Sequence, residues 1–253
     1  SDVLGQGPCR RSSASSPVWA TGRVLGEASV GCCGDGVYSD ALRGAVAVGI
    51  VDGVVGRTGV VVGVATGEAT VVVVVVGAGG LGSPVIQYLA TAGVGRIGIA
   101  DGDRVDATNL QRQVIFSGSD IGLRKPEAAR ARVRELNPDV EVTPISAWLD
   151  ADTTREVARD YQLLIDASDN YATRLAVNDA AVALGIPFVH GAAIRWEGMV
   201  AAFDPNVGPC YRCLFPNLPE AEEVCSDVGV LGAVTGVIGS LIAVEAIKHS
   251  IGA

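Results

Sequence analysis

Hydrophobic and polar positions change rhythm near residue 71 of this 253-residue chain. From there an unbroken apolar run, 71–76, leads into the glycine-rich GAGGLG, after which Leu81, Val85, Ile86 and Leu89 recur at helical spacing. That succession predicts a buried parallel strand feeding a helix. A second strand is expected at 97–101, after a Gly-Val-Gly turn. Good helix formers over 124–136 stop at Asn137-Pro138 and give way to an extended segment at 140–145, because the residue before a proline is pushed out of the helical region.

Residues 161–166 form another short apolar run that ends in an acid, and a helix is expected over 171–184. Runs at 186–190 and 199–203 complete the strands. The Pro-rich stretch 204–228 has no periodicity, and a loop of that length inside a compact domain is usually functional. A last apolar helix with small residues is expected over 230–248. Strands alternating with helices define the fold class as α/β, a doubly wound, mainly parallel Rossmann-like sheet with helices on both faces. Ligands of such sheets bind outside the carboxyl ends of the strands.

Residues 1–70 are rich in Gly, Val and Ser, carry the Cys32-Cys33 pair and show little helical periodicity, so they are read as a weakly structured, unassigned segment. The nucleotide-binding domain is expected over 71–253. With 49% hydrophobic residues the chain can bury a full core. Its net charge of −9 argues against partners bound through a nucleic-acid backbone, which require basic patches. The valine-rich stretch 46–76 looks superficially like a membrane span, but Asp52, Arg57 and Glu68 cut it into pieces too short to cross a bilayer. With no signal-peptide pattern, the six cysteines are expected as thiols and the protein as soluble and cytoplasmic.

Gly77, Gly79 and Gly82, with Gly80 among them, place G-x-G-x-x-G between strand and helix, where bare backbone can approach a phosphate. Asp101 ends the second strand and can accept hydrogen bonds from ribose hydroxyls. These features alone fit NAD and ATP equally. The segment that follows, DGDRVDATNLQRQ, clusters Asn109, Arg112 and Gln113, and an arginine fork can clamp phosphate oxygens; taken singly, Arg112 would be read as a solvated loop residue. Lys125, one of two lysines in the chain, opens a helix against its dipole, which suggests service to an anion.

Asp166 and Asp169 stand at a strand end, where a carboxylate can hold magnesium on a triphosphate, although Asp169 would also serve as a helix N-cap. Arg174 and Asn178 lie four apart on the next helix and read as a surface pair. Cys210 and Cys213 have the spacing of half a tetrahedral zinc site; a redox pair or two buried cysteines are the alternatives.

Taken in order, GAGGLG, NLQRQ, RKPEAA, SDN, HGAAIRWEG, PCYRCLFP and the GVIGSLIAVEAIK helix resemble the ThiF/MoeB/HesA family over residues 71–250. The resemblance implies ATP-dependent adenylation of the C-terminal carboxylate of a small ubiquitin-fold sulfur carrier or modifier ending in Gly-Gly. It assigns ribose binding to Asp101, phosphates to Arg112 and Lys125, magnesium to Asp169, and support of the reaction centre to Asn109 and Gln113. Cys225 matches a cysteine that some members link covalently to the carrier, and the last helix is a candidate for part of a homodimer interface. Two departures stand out. Nothing in 1–70 matches the Arg-Tyr-x-Arg-Gln-like opening of the family, and the second Cys-x-x-Cys that would complete a zinc site does not precede Ala253. The expectation is therefore a fragment or a diverged member. An NAD-dependent oxidoreductase and a non-catalytic binding scaffold are the competing readings.

Overall fold

The computed structural model describes residues 71–218 and 229–252. The expected weakly structured segment 1–70 and Cys225 lie outside the described residues. The strands are β1 (Val72–Val76), β2 (Arg96–Ala100), β3 (Glu141–Ile145), β4 (Leu163–Asp166), β5 (Phe188–Ile194) and β6 (Glu197–Phe203). The helices are α1 (Gly82–Thr91), α2 (Lys125–Leu136), α3 (Ala151–Ala158), α4 (Tyr171–Leu184), α5 (Tyr211–Leu214) and α6 (Gly232–Ile251).

The strands form one sheet in the order β3-β2-β1-β4-β5-β6, in which β1 to β5 run parallel and β6 returns antiparallel to β5. This is the doubly wound α/β class read from the sequence. The valine run makes sense at the sheet's centre. Val73 and Val75 pack into a core with α1, α2 and α6, while Val74 and Val76 pack into a second core with α3 and α4. A strand covered on both faces has no polar side to alternate with.

Pro144 lies in β3, an edge strand, where a missing backbone donor costs least. The expected strand at 186–190 extends to Ile194 because the hairpin partner β6 pairs with every residue of Phe188–Ile194. Helix α3 falls where no helix was expected; the Asp150 carboxylate caps it by accepting the Thr153 N–H. Within the non-periodic stretch 204–228, α5 occupies Tyr211–Leu214, and 219–228 lie outside the described residues.

Helix α6 is long and apolar enough to cross a membrane by length and composition. In this fold Ile238 and Ile242 are instead buried against the sheet, and Gly239 lets Pro84 of α1 and the carbonyl of Leu81, just before α1, approach its backbone.

Candidate nucleotide site

The sheet order reverses between β1 and β4, because β2 and β3 lie on one side of β1 while β4 to β6 lie on the other. A crevice opens at such a switch point, outside the carboxyl ends of the two strands. The loops that leave β1 and β4 touch there: a Cβ on Gly77 would stand 2.6 Å from the Ala167 carbonyl oxygen, and Gly77 has φ +95°. Only glycine meets both demands. A Cβ on Gly82 would collide with the Gly77 carbonyl, so Gly82 closes the turn beneath the loop rather than facing the crevice. Gly77, Gly79 and Gly80 line it. Beside Gly79 the Gln113 amide nitrogen, at 3.7 Å, is the one atom of the described residues, chain neighbours apart, that comes within 4 Å of a built Cβ, leaving bare backbone open to a ligand.

Asp101, Arg112, Gln113, Lys125 and Asp169 line the same crevice. Asp101 is tied to the glycine loop, since its Oδ2 accepts the Ala78 N–H at 2.9 Å and its Oδ1 the Asp103 N–H at 2.8 Å. Burial pushes its carboxyl above the ordinary value, against the opposing pull of Lys125 and these two N–H groups. A carboxylate has about four lone-pair sites, so two remain for ribose hydroxyls. Lys125 is buried with its Nζ 2.8 Å from Asp103 Oδ2 and 4.0 Å from Asp101 Oδ2. It is thus a cation already held beside the crevice by acids, from which incoming phosphates can draw it.

Asn109 is the one expected reaction-centre residue that does not line the crevice. Its carbonyl instead accepts the N–H groups of Arg112 and Gln113, at 3.1 and 3.0 Å, and so shapes the turn that presents both. Gln113 is 3% exposed, and its Oε1 has no hydrogen-bond partner among the described residues.

Asp166 and Asp169 part company. Asp166 turns into the interior, where its Oδ2 meets His190 Nδ1 at 2.8 Å and its Oδ1 accepts both donors of Ser168. Asp169 is exposed to the crevice. The cap of α4 is not Asp169 but Asn170, whose Oδ1 accepts the Thr173 N–H at 2.9 Å. That leaves the Asp169 carboxylate available for a cation.

The surface-pair reading of Arg174 and Asn178 is overturned. Asn178 is 1% exposed and its Oδ1 accepts the Tyr211 N–H, while Arg174 lines the crevice and reaches the Tyr211 hydroxyl. Sequence spacing places both on one face of α4, but it takes the α5 segment packing there to bury that face. Trp148, Ser168 and Thr235 also line the crevice without having been singled out. Only the aromatic character of Trp148 could have flagged it.

Cys210 and Cys213 are not in a disulfide, and their sulfurs lie 3.7 Å apart. Two sulfurs on a tetrahedron with bonds near 2.3 Å would be separated by about 3.8 Å. The pair therefore fits half of a zinc site. Among the described residues no group of three or more His, Cys, Asp or Glu side chains converges to complete one. The turn is pinned to α4 by Asn178 and by the Arg212–Asp179 pair, two contacts of 2.7 Å.

The switch-point crevice, the bare glycine loop and the converging cations define a Rossmann-like nucleotide-binding protein. The ThiF family model matches residues 68–253, and the chain belongs to the ThiF family. It is 49% identical over 187 residues to a sulfur carrier protein adenylyltransferase of Thermus thermophilus, covering 71% of this chain and 69% of that protein. It is 50% identical over 178 residues to the SAMP-activating enzyme E1 of Haloferax volcanii, covering 70% and 66%. The adenylyltransferase and sulfurtransferase MOCS3 of Aedes aegypti is 50% identical over 182 residues. That match covers 71% of this chain but only 42% of MOCS3, so the chain spans less than half the length of that relative. Among solved structures, the microcin C7 biosynthetic enzyme MccB in complex with N-formylated MccA superposes with a TM-score of 0.64 at 25% identity, over 71% of this chain and 57% of MccB.

Proposed function

We propose that this chain is an ATP-dependent adenylyltransferase that activates the C-terminal carboxylate of a ubiquitin-like sulfur carrier or modifier. One observation carries the reading: Arg112, Lys125 and Asp169 come from three separate segments, yet line one crevice with the glycine loop and Asp101. Arg112 and Lys125 together with the exposed Asp169 carboxylate suit a polyphosphate with magnesium better than they suit a nicotinamide dinucleotide. The relatives' names, which specify adenylyltransferases and an E1, support the same chemistry.

In the reaction a carboxylate oxygen of the carrier attacks the α-phosphorus of ATP, the bond to the pyrophosphate oxygen breaks, and acyl-adenylate and pyrophosphate result. No general base is needed, since a terminal carboxylate is ionised at neutral pH. Asp101 holds the ribose, the backbone of the glycine loop at Gly79 and Gly80 offers N–H groups to the phosphates, and Arg112 and Lys125 offset the charge that gathers on the leaving pyrophosphate. Asp169 would hold a magnesium ion, which would supply further charge neutralisation there.

Two further parts belong to this reading. Val237, Val244 and Ile251 recur every seven residues along α6 and are half exposed, at 50, 50 and 57%, which supports a homodimer contact along that helix. The 3.7 Å sulfur pair supports zinc bound through Cys210 and Cys213 with ligands from outside the described residues. ATP–pyrophosphate exchange in the presence of a Gly-Gly-ending carrier tests the function. Carrier-dependent exchange is expected; nucleotide binding without exchange would leave a scaffold, and NAD binding in place of ATP would leave an oxidoreductase.

A further inference from the structure

We propose that the indole of Trp148 is the stacking platform for the purine base of the bound nucleotide, and that Gly102 lacks a side chain so that the indole can be seated. The inference rests on the nucleotide reading above and specifies how that site takes the base. Strands β2 and β3 are neighbours, and their carboxyl ends are joined by the Asp101 N–H to Ile145 carbonyl hydrogen bond of 3.1 Å. The residues just after each strand are thereby brought together: Asp101 and Gly102 after β2, Ala147 and Trp148 after β3.

A Cβ built on Gly102 would stand 2.5–2.6 Å from Cγ, Cδ2 and Cε2 of Trp148. Near-equal approach to three fused-ring atoms means that one face of the indole rests on the Gly102 backbone. Yet Trp148 is 67% exposed and lines the crevice beside Asp101. A large apolar ring held on one face and open on the other, at the mouth of a ligand crevice, matches a flat aromatic ligand. In a nucleotide the base is attached directly to the ribose. With the ribose on Asp101 and the phosphates on the glycine loop, the base emerges on the Gly102 side, next to the indole. Stacking needs only a π face, so this platform adds affinity for a base without choosing between adenine and guanine. Trp196, at 74% exposure, lies at the β5–β6 turn outside the crevice and serves as an internal comparison.

The test titrates the full chain with magnesium-ATP and with magnesium-tripolyphosphate, which lacks base and ribose, following binding by calorimetry and by indole emission. Trp148→Ala is expected to weaken ATP binding by roughly ten- to a hundredfold, the range of a lost base–aromatic stack, and to leave tripolyphosphate unchanged. Trp148→Phe should keep most of the ATP affinity while abolishing the change in emission, which Trp196→Phe should preserve. Gly102→Ala, by displacing the indole, should behave like Trp148→Ala. Unchanged ATP affinity in Trp148→Ala, or equal weakening of both ligands, would overturn the platform while leaving the nucleotide site intact. A wild-type chain that bound no ATP would overturn the nucleotide reading and the platform with it.

Discussion

Nδ1 of His190 lies 2.8 Å from Oδ2 of Asp166, with each side chain 1% exposed. The other carboxylate oxygen accepts the backbone N–H of Ser168 at 3.0 Å and its hydroxyl at 2.6 Å, so one buried acid joins β5 to the turn that carries Asp169 into the crevice. Burial works to raise the Asp166 pKa, but the His190 and Ser168 hydrogen bonds and the nearby imidazole outweigh it and hold the carboxyl below its ordinary value.

An acid whose pKa is depressed on folding contributes stability that is complete above the unfolded value, near 3.9, and is lost as pH falls through the folded value. The stability of the wild type should therefore drop steeply below about pH 4. Asp166→Asn should start about 3 kcal/mol or more less stable at neutral pH, because the pair is buried, and should show a flatter acid profile. Urea unfolding across the acid range measures both. Parallel profiles would show that Asp166 is not the group responsible.

Asp169 is exposed and is not a helix cap, so its carboxylate should matter for the cation more than for the fold. Asp169→Asn is expected to raise the magnesium concentration for half-maximal exchange by roughly tenfold or more, with thermal stability nearly unchanged. A large loss of melting temperature without a change in magnesium dependence would contradict the assignment.

Arg112→Ala should lower turnover by about a hundredfold or more and ATP affinity much less, because a fixed guanidinium gains interaction as charge moves onto the leaving pyrophosphate. Steady-state exchange kinetics separate this from uniform binding, which would raise KM at constant kcat. A side chain that served neither role would change neither quantity.

The position of Arg112 depends on α6. A Cβ on Gly232 would stand 2.5 Å from the Gln111 carbonyl oxygen and 3.3 Å from the Arg112 Cα, so Gly232→Ala should displace that turn and lower exchange. A Cβ on Gly236, one turn on, would meet nothing within 4 Å among the described residues, and Gly236→Ala should leave exchange unchanged while adding about 0.5–1 kcal/mol of stability through helix propensity. Equal activities for the two variants would show that this contact does not position the arginine.

Much of this protein was legible in its sequence because the relevant signals are local. The apolar run before GAGGLG announced a strand buried on both faces, and the glycines announced a turn that other residues cannot make; the sheet and the Gly77–Ala167 contact agree with both. Asp101, Lys125 and Asp169 could be picked out by residue type at or just beyond strand and helix ends, since those are the places where parallel sheets bind ligands, whereas Arg112, in a loop, stood out only through its cluster with Asn109 and Gln113 and the family resemblance. Their convergence is a different kind of fact. The sheet order places the ends of β1, β2 and β4 side by side, and no spacing along the chain encodes that adjacency. The inward turn of Asp166, the burial of Asn178 beneath α5 and the seating of Trp148 on Gly102 likewise depend on segments distant in sequence. Local sequence determines which conformations and chemistries each segment can adopt, because backbone sterics and hydrophobic periodicity act over a few residues. Tertiary packing decides which of those chemistries meet, because contact and burial depend on neighbours that only the folded chain brings together.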